Sequence, residues 1–452
     1  MTYFRLNMGA ILKTGGKGAV LYDVIGRRIF LLDKEAQRLL QECENRMPVK
    51  DEGLAGSAHR FLDLMVSEGL GFYYSHPTHI DKMLTSSPIN ELEMLGPPPA
   101  YKIVNWSITS RCDQACHFCP ASLQQPIWQA CRSCVRRANS SEIPSVFDNP
   151  AHLVKQMADL GIWGIHLRGG NPLLEWERLT AILNCTRSQP HLRVGITTPG
   201  TGKAIEHIIS LYRYPNVQLN VVLIGFEDRS DRRLPEANSV RSTQYKLLDT
   251  LRQCNALFSI VVVISDKTPV DREYASQWVF KRWGMIPGFA EFHPSPENGS
   301  REFRFNTIQT NRKPLLLWRN PEEFFQRTEN NACVSGIMEI TVDGSVKPCA
   351  GCDDDCGKII NNDLRHAIKG RRLYELWKMS KDKIEQCSDC PLGIACSDCL
   401  AAERLGTIDK RVALGYCPVM QDGDLYANAG RFEHQGFVYL LSIEKGLERC
   451  PT

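Results

Sequence analysis

The chain has 452 residues, of which 43% are hydrophobic and 23% are charged, and its formal net charge is only +3. This composition is typical of a globular protein with roughly two to four domains, and it excludes a mainly disordered chain. The balanced charge gives no basic surface for binding nucleic acid or an anionic membrane. The apolar runs are too short to cross a membrane, and the N-terminus lacks a signal-peptide pattern. We therefore expect a cytoplasmic protein.

The first predicted unit is a small α+β domain over residues 1–85. Its predicted elements are two hairpin strands, two helices and a returning strand: Ala19–Val24, Arg28–Leu32, Lys34–Cys43, Ala58–Glu68 and Leu70–Tyr73. Gly26 supplies the hairpin turn, Asp33 is a candidate N-cap, and Gly69 ends the second helix. This order predicts a winged-helix-like unit.

A polar, proline-rich linker is predicted over residues 86–100, and an alternation of strands and helices follows over residues 101–318. The candidate strands are Lys102–Thr109, Ile162–Leu167, Leu192–Thr197, Val217–Ile224, Phe258–Ile264 and Phe289–His293. Strands separated by helical patterns predict an α/β fold, either a parallel barrel or an open sheet with right-handed crossovers. Residues 319–452 are predicted to form a separate cysteine-rich, turn-rich domain.

The 18 cysteines are the most informative feature of the sequence. Thiols stay reduced in the cytosol, so clustered cysteines favour metal or redox chemistry over disulfides. Cys112, Cys116 and Cys119 lie directly after the first predicted barrel strand, where α/β folds place their chemistry. Their spacing suits three thiolate ligands of a 4Fe–4S cluster and leaves one iron open. A zinc loop with His117 as the fourth ligand is the alternative.

This Cys-x3-Cys-x2-Cys element, with Phe118 before the last cysteine, resembles the signature of radical S-adenosylmethionine (radical SAM) enzymes. Where that family usually has Gly-Gly-Glu-Pro, this sequence has Asn171 in place of Glu, which keeps an acceptor and loses a charge. We therefore expect Asn171→Glu to be tolerated. The resemblance implies a partial (β/α)6 barrel with catalytic ligands Cys112, Cys116 and Cys119. It also implies SAM contacts from Phe118, Gly169, Gly170, Asn171, Pro172, Thr197 and Thr198.

The resemblance also implies the chemistry. SAM would chelate the open iron, and one electron from the reduced cluster would cleave it to a 5′-deoxyadenosyl radical that abstracts a substrate hydrogen. A flavodoxin or ferredoxin is the expected reductant. The cofactor would carry the difficult chemistry while the protein provides positioning and excludes water.

The C-terminal segment resembles the SPASM extension of peptide-modifying radical SAM enzymes, which carries two auxiliary iron–sulfur clusters. The resemblance implies a distal cluster on Cys387, Cys390, Cys396 and Cys417. It implies a proximal cluster on Cys333, Cys349 and Cys399, with Cys352 or Cys356 as a candidate fourth ligand. Structural zinc sites are the alternative. The pair Cys131 and Cys134 is a candidate for an additional metal, shared with Cys352 and Cys356, or for an unligated redox pair.

Residues 1–85 resemble the precursor-peptide recognition element of peptide maturases, which binds a leader peptide by strand addition. Lys/Arg and Asp/Glu are nearly balanced there, which argues against a DNA-binding winged helix. We expect the leader to add to the edge of the Ala19–Val24/Arg28–Leu32 hairpin, beside the helix Lys34–Cys43.

The resemblances cover nearly the whole sequence and imply a maturase of a ribosomally synthesised, post-translationally modified peptide (RiPP). Its expected product is a thioether, or a carbon–carbon or carbon–oxygen crosslink between side chains, because auxiliary clusters would accept the electron left on a product radical. The alternatives are a peptide epimerase, a maturase of a folded sulfatase or quinoprotein, and a non-enzymatic iron–sulfur scaffold or regulator.

Overall fold

The structure is a computed structural model that describes residues 1–49, 55–83, 101–114, 116, 149–223, 235–265, 270–292, 315–316, 318–350, 352, 354–385, 387–397, 425–427 and 437–450. The chain forms two compact units, each made of separated segments. The first contains Met1–Pro97, Arg304–Cys333 and Lys378–Thr452, and the second contains Pro98–Phe303 and Val334–Trp377. This division differs from the predicted boundary at residues 318/319, because residues 334–377 join the second unit.

The strands are β1 Tyr3–Leu6, β2 Ala10–Gly15, β3 Gly18–Asp23, β4 Arg28–Leu32, β5 Gly71–Tyr74, β6 Ile103–Thr109, β7 Gly164–Gly169, β8 Arg193–Thr198, β9 Val217–Leu223, β10 Phe258–Ser265, β11 Gly288–Phe292, β12 Leu315–Leu316, β13 Ile337–Ile340, β14 Val346–Lys347, β15 Cys396–Ser397, β16 Val438–Ser442 and β17 Gly446–Arg449. The α-helices are α1 Lys34–Glu44, α2 Ala55–Ser67, α3 Pro150–Asp159, α4 Trp176–Thr186, α5 Ile205–Ile209, α6 Pro235–Gln253, α7 Arg272–Trp283, α8 Pro321–Glu329, α9 Leu364–Ala367 and α10 Arg372–Trp377.

Polar N-caps start several of these helices. Asp33, Asn149, Asp271 and Asn320 each accept a hydrogen bond from the backbone amide three residues later, which satisfies an amide that has no partner inside the helix. Asp33 was predicted in this role. Across the described residues, no helix combines the length and apolar character needed to cross a bilayer.

In the second unit, strands β6 to β11 form a parallel sheet in their sequence order, with helices in the connections. This confirms the predicted α/β alternation and is consistent with a partial barrel. The sheet continues beyond the predicted strands, because β13 pairs in parallel with β6 and β14 pairs antiparallel with β13. Two strands of the cysteine-rich segment therefore extend the parallel sheet.

Side chains alternate between the two faces of this sheet, so one face is apolar and the other carries polar groups. The apolar face contains Trp106, Ile165, Leu167, Ile196 and Leu219, all fully buried. Transfer of this much apolar surface from water is the main force that holds the unit together. The opposite face belongs to the candidate site.

In the first unit, β2, β3 and β4 form an antiparallel meander, while β1 pairs with β5. Both predicted helices and the predicted hairpin are present. A buried core that includes Phe4, Phe30, Leu40 and Phe61 joins strands and helices. The winged-helix assignment stays a prediction.

One expectation for this unit is wrong. The edge of the β3–β4 hairpin is not free, because β3 lies between β2 and β4, and β4 pairs in parallel with β16. The C-terminal hairpin β16–β17 completes a sheet ordered β17-β16-β4-β3-β2. Among the described residues, β5 pairs with a strand on one side only.

Candidate functional site

The cysteine loop begins where β6 ends, and Cys112 and Cys116 are its described cysteines, both half-buried. The Gln114 amide donates a hydrogen bond to Cys112 Sγ at 3.5 Å, and Gln114 Nε2 donates to Thr201 Oγ1 at 2.9 Å. Cys116 packs against an apolar cluster that contains Val222 of β9. The predicted residues Phe118, Cys119, Cys131 and Cys134 lie outside the described residues.

Two glycines at the C-terminal end of β7 fix the base of this loop. Gly169 has φ of +132°, which side-chain-bearing residues rarely adopt, and a Cβ on it would lie 2.0 Å from Thr109 O. A Cβ on Gly170 would lie 2.0 Å from Arg111 O. Backbone amides of this segment donate to the same carbonyls: Gly170 to Thr109 at 2.9 Å and Asn171 to Arg111 at 2.7 Å. The glycines therefore allow close approach of the cysteine loop.

Asn171 is fully buried and its side chain ties three strand ends together. Its Oδ1 accepts hydrogen bonds from Thr198 Oγ1 at 2.8 Å and from the Leu173 amide at 3.2 Å. Its Nδ2 donates to Thr201 O and to Asp113 Oδ1, each at 2.9 Å. Both amide protons and the oxygen are thus used inside the protein. Asn171 acts as a positioning residue, and the exposed carboxylate of Asp113 is the charged group of this network.

The other predicted SAM-contact residues lie around this network. Pro172 is buried and starts a 3-10 turn whose N-cap is Asn171. Thr198 is buried, and its Oγ1 accepts from the Gly200 amide at 3.0 Å. Thr197 projects to the opposite face of β8, where Asn220 Nδ2 donates to its Oγ1 at 3.4 Å. The structure therefore brings Gly169 to Pro172 and Thr198 together with the cysteine loop.

The polar face of the sheet contains a buried ion pair. Arg168 and Glu339 are only 2% and 1% exposed, and they are hydrogen-bonded through Nη2 and Oε2. Ser107 Oγ donates to the second carboxylate oxygen at 2.9 Å. Since the two charges cancel locally, this part of the face is polar without a net charge.

His166 lies on the same face, opposite Asn105 of β6 and Gly195 of β8 in the register. Burial lowers its pKa below the usual value, and the positive charge of Arg168 lowers it further. The imidazole is therefore neutral near pH 7 and can accept a proton. A Cβ on Gly195 would lie 3.1 Å from His166 Cδ2, so the glycine leaves room for the ring.

Sequence reasoning missed these polar-face residues. The signal was the two-residue alternation of polar groups within β6 and β7, where Asn105 and Ser107, and His166 and Arg168, interrupt apolar positions. Glu339 gave no such signal, because its segment was interpreted as a cysteine-rich domain and not as part of the sheet.

In the second unit, three C-terminal cysteines lie near β14. The Sγ atoms of Cys349 and Cys352 are 3.4 Å apart, and the Cys352 amide donates to Cys349 O at 3.3 Å. Cys356 is buried, and its amide donates to Val346 O at 3.0 Å. Cys352 and Cys356 are the two candidates for the fourth ligand beside Cys349. Of these two, Cys352 is the one whose sulfur contacts the Cys349 sulfur.

In the first unit, successive turns bring together a second set of cysteines. The Cys390 amide donates to Cys387 O, and Cys390 and Cys396 pack on an aromatic cluster with Tyr22. Tyr22 Oη donates to Pro391 O at 2.7 Å. Burial raises the pKa of Tyr22 well above its usual value, and both neighbouring cysteines raise it further.

Thiols held by short turns fit the ligand chemistry of iron–sulfur clusters. Within the described parts of the protein, no three Cys, His, Asp or Glu side chains are grouped closely enough to hold a metal. Cys119, Cys399 and Cys417 lie outside those parts, and Cys333 lies in the first compact unit while Cys349 lies in the second. The complete ligand sets stay predictions.

Comparison with known families matches residues 106–272 to the Radical SAM superfamily. This segment runs from β6 to the first residue of α7 and contains the cysteine loop, the two glycines and Asn171. This segment is thus similar to the radical SAM domain, and the protein is an enzyme. Such a domain implies SAM and a 4Fe–4S cluster. No curated protein matches the sequence.

Solved structures similar to this chain include Streptococcus suis SuiB bound to S-adenosylmethionine, with a TM-score of 0.46 and 14% identity over 92% of this chain and 100% of that chain. SuiB bound to precursor peptide SuiA has a TM-score of 0.48 and 14% identity over the same shares of 92% and 100%. Native anSMEcpe with bound AdoMet and Cp18Cys peptide has a TM-score of 0.48 and 14% identity over 72% of this chain and 96% of that chain.

Proposed function

We propose that this enzyme is a radical SAM maturase of a ribosomally synthesised precursor peptide, in which it installs a thioether or a carbon–carbon or carbon–oxygen crosslink between side chains. The observation that carries the proposal is the cysteine loop, which Gly169, Gly170 and Asn171 fix at the carboxyl ends of parallel strands. That edge is where α/β folds place ligands. A polar sheet face lies in the same unit.

Cys112, Cys116 and Cys119 would hold the 4Fe–4S cluster, and SAM bound beside it would supply a 5′-deoxyadenosyl radical. Asn171 and Thr198 hold the loop and the ends of β7 and β8 in place. The residues thereby contribute fixed geometry, which is what a short-lived radical requires from its surroundings.

The polar face suits an amide-rich substrate, because hydroxyl, amide and imidazole groups offer both donors and acceptors. The buried Arg168–Glu339 ion pair is fixed within the sheet and presents no net charge to a substrate. In the proposed crosslinking reaction the substrate loses one hydrogen atom, one proton and one electron. His166 is the proton acceptor in this proposal because it is neutral near pH 7. The C-terminal cysteines would hold the clusters that accept the electron.

The proposed substrate recognition lies in residues 1–85. With the hairpin edge covered by β16, strand β5 offers backbone groups on the side away from β1. Phe72 on β5 is 50% exposed and supplies an apolar contact for an added strand. Phe72→Ala is expected to weaken leader binding without unfolding the domain. Met8→Ala is the matched control, since Met8 is 55% exposed.

The test of the proposed function is the product mass after co-expression with a short peptide encoded beside the enzyme. Crosslinking predicts the loss of two hydrogens per modified site. An unchanged peptide mass would contradict crosslinking and point to epimerisation. Modification of a folded protein instead of the peptide would contradict the proposed substrate. Cys112→Ala should give unmodified peptide, while Cys254→Ala, at an exposed cysteine outside every motif, should not change the product.

A further inference from the structure

A groove with a volume of about 630 Å³ follows helix α6 and reaches the end of α7. It is lined by Arg241, Ser242, Tyr245, Lys246, Asp249, Thr250, Gln253 and Arg282. None of these residues belongs to the cysteine loop or to the polar face of the sheet. Helical spacing explains the lining, because residues three and four apart share a helix face.

One charged pair in the groove is already satisfied. Arg282 Nη2 donates to Asp249 Oδ2 at 2.9 Å, and Trp283 Nε1 donates to Asp249 Oδ1 at 2.8 Å. Burial would raise the pKa of Asp249, but these hydrogen bonds and the positive charge of Arg282 outweigh it and leave the pKa lowered. Arg282 also stacks on Tyr245, with its Cζ 4.7 Å from the ring centroid. This pair contributes no net charge to the groove.

Arg241 differs from Arg282 in how its charge is compensated. Arg241 is only 9% exposed, and its Nε has no hydrogen-bond partner in the part of the chain that the structure describes. No ion pair or other hydrogen bond involves its guanidinium among the described residues. A charged group removed from water without a partner is strongly unfavourable, so buried charges in proteins are normally paired. Lys246, further along α6, adds a second positive charge to the groove.

We propose that this groove binds an oxyanion, a carboxylate or a phosphate, with Arg241 as its bidentate partner and Lys246 as the second cation. The planar guanidinium presents two parallel N–H donors that match either group. The hydroxyl group of Ser242 provides a further donor in the lining, whereas the Thr250 hydroxyl already donates to Lys246 O at 2.8 Å. This proposal is independent of the proposed peptide chemistry.

The test is isothermal titration calorimetry on the full-length protein with two probes, inorganic phosphate and glutarate, in a buffer without either group. We expect one probe to bind, which identifies the source of the oxyanion. Arg241→Met should weaken that binding about tenfold or more, the effect of losing charged hydrogen bonds, and Lys246→Gln should weaken it by a smaller factor. Arg193→Met, at an exposed arginine on β8, removes the same charge and should leave binding unchanged.

Thermal unfolding without added anion provides a second readout. Because Arg241 is buried without a partner among the described residues, Arg241→Met should keep or raise the melting temperature, since it removes an uncompensated buried charge. The proposal is overturned if neither probe binds, if Arg241→Met binds the probe as tightly as the wild type, or if it lowers the melting temperature by several degrees.

Discussion

Replacing Asn171 with Glu tests the network at the cysteine loop most sharply. The family pattern places Glu at this position, which led to the expectation that Asn171→Glu is tolerated. The structure reverses that expectation. Asn171 Nδ2 lies 2.9 Å from both Asp113 Oδ1 and Thr201 O, so a carboxylate here would face two acceptors and supply no proton.

The magnitude follows from two contributions. Two lost donor hydrogen bonds cost about 2 kcal/mol together. Two carboxylates about 4 Å apart repel each other by about 4 kcal/mol at the effective dielectric constant of a protein surface. The sum is about 6 kcal/mol, enough to lower the melting temperature of a domain of this size by about 10 °C or more.

The assay is thermal unfolding of Asn171→Glu, Asp113→Asn and the double variant, combined as a double-mutant cycle. Because Asp113→Asn removes the repulsion and supplies an amide donor, the double variant should recover most of the loss. Asn171→Ala is a reference for losing the hydrogen bonds without adding a charge. A melting temperature for Asn171→Glu equal to that of the wild type would refute the assigned role of this network.

Three further predictions concern the same unit. His166→Gln should lower crosslink formation while SAM cleavage continues, and wild-type crosslinking should be retained at pH 6.5 and fall only at lower pH, because burial and the charge of Arg168 lower the pKa of His166 below its usual value of about 6.5 and protonation then removes the acceptor. Arg168→Met should destabilise the protein by about 3–5 kcal/mol in chemical denaturation, and Arg168→Met combined with Glu339→Met should recover much of that loss, because breaking a buried pair costs more than replacing it. Gly170→Ala should reduce the iron bound at the cysteine loop, because the new Cβ would lie 2.0 Å from Arg111 O; an unchanged iron content would contradict that role of the glycine.

The sequence predicted elements well where local patterns decide them. The alternation of apolar strands and amphipathic helices predicted β6 to β11, and Asp33 predicted the start of α1. The type of an element and its start depend on neighbouring residues and on which side chains face solvent, and both can be read from the pattern of apolar and polar residues.

Long-range pairing was not predictable in the same way. Strand β16 pairs with β4, and β13 pairs with β6, across more than 200 residues in each case. The sequence of a short strand does not indicate which strand it pairs with. The pairing of β16 with β4, which covers the hairpin edge, and the ion pair of Arg168 with Glu339 are therefore evident only in the structure. The role of Asn171 likewise depends on Asp113 and Thr201, which are distant in sequence.

The most direct measurement of the central claim is the formation of 5′-deoxyadenosine from SAM by the reduced, iron-reconstituted enzyme. The wild type and Cys254→Ala should form it, while the variant with Ala at Cys112, Cys116 and Cys119 should form none and should retain much of its iron on the C-terminal cysteines. SAM cleavage by that triple variant, or its absence in the reconstituted wild type, would contradict the assignment of the catalytic site.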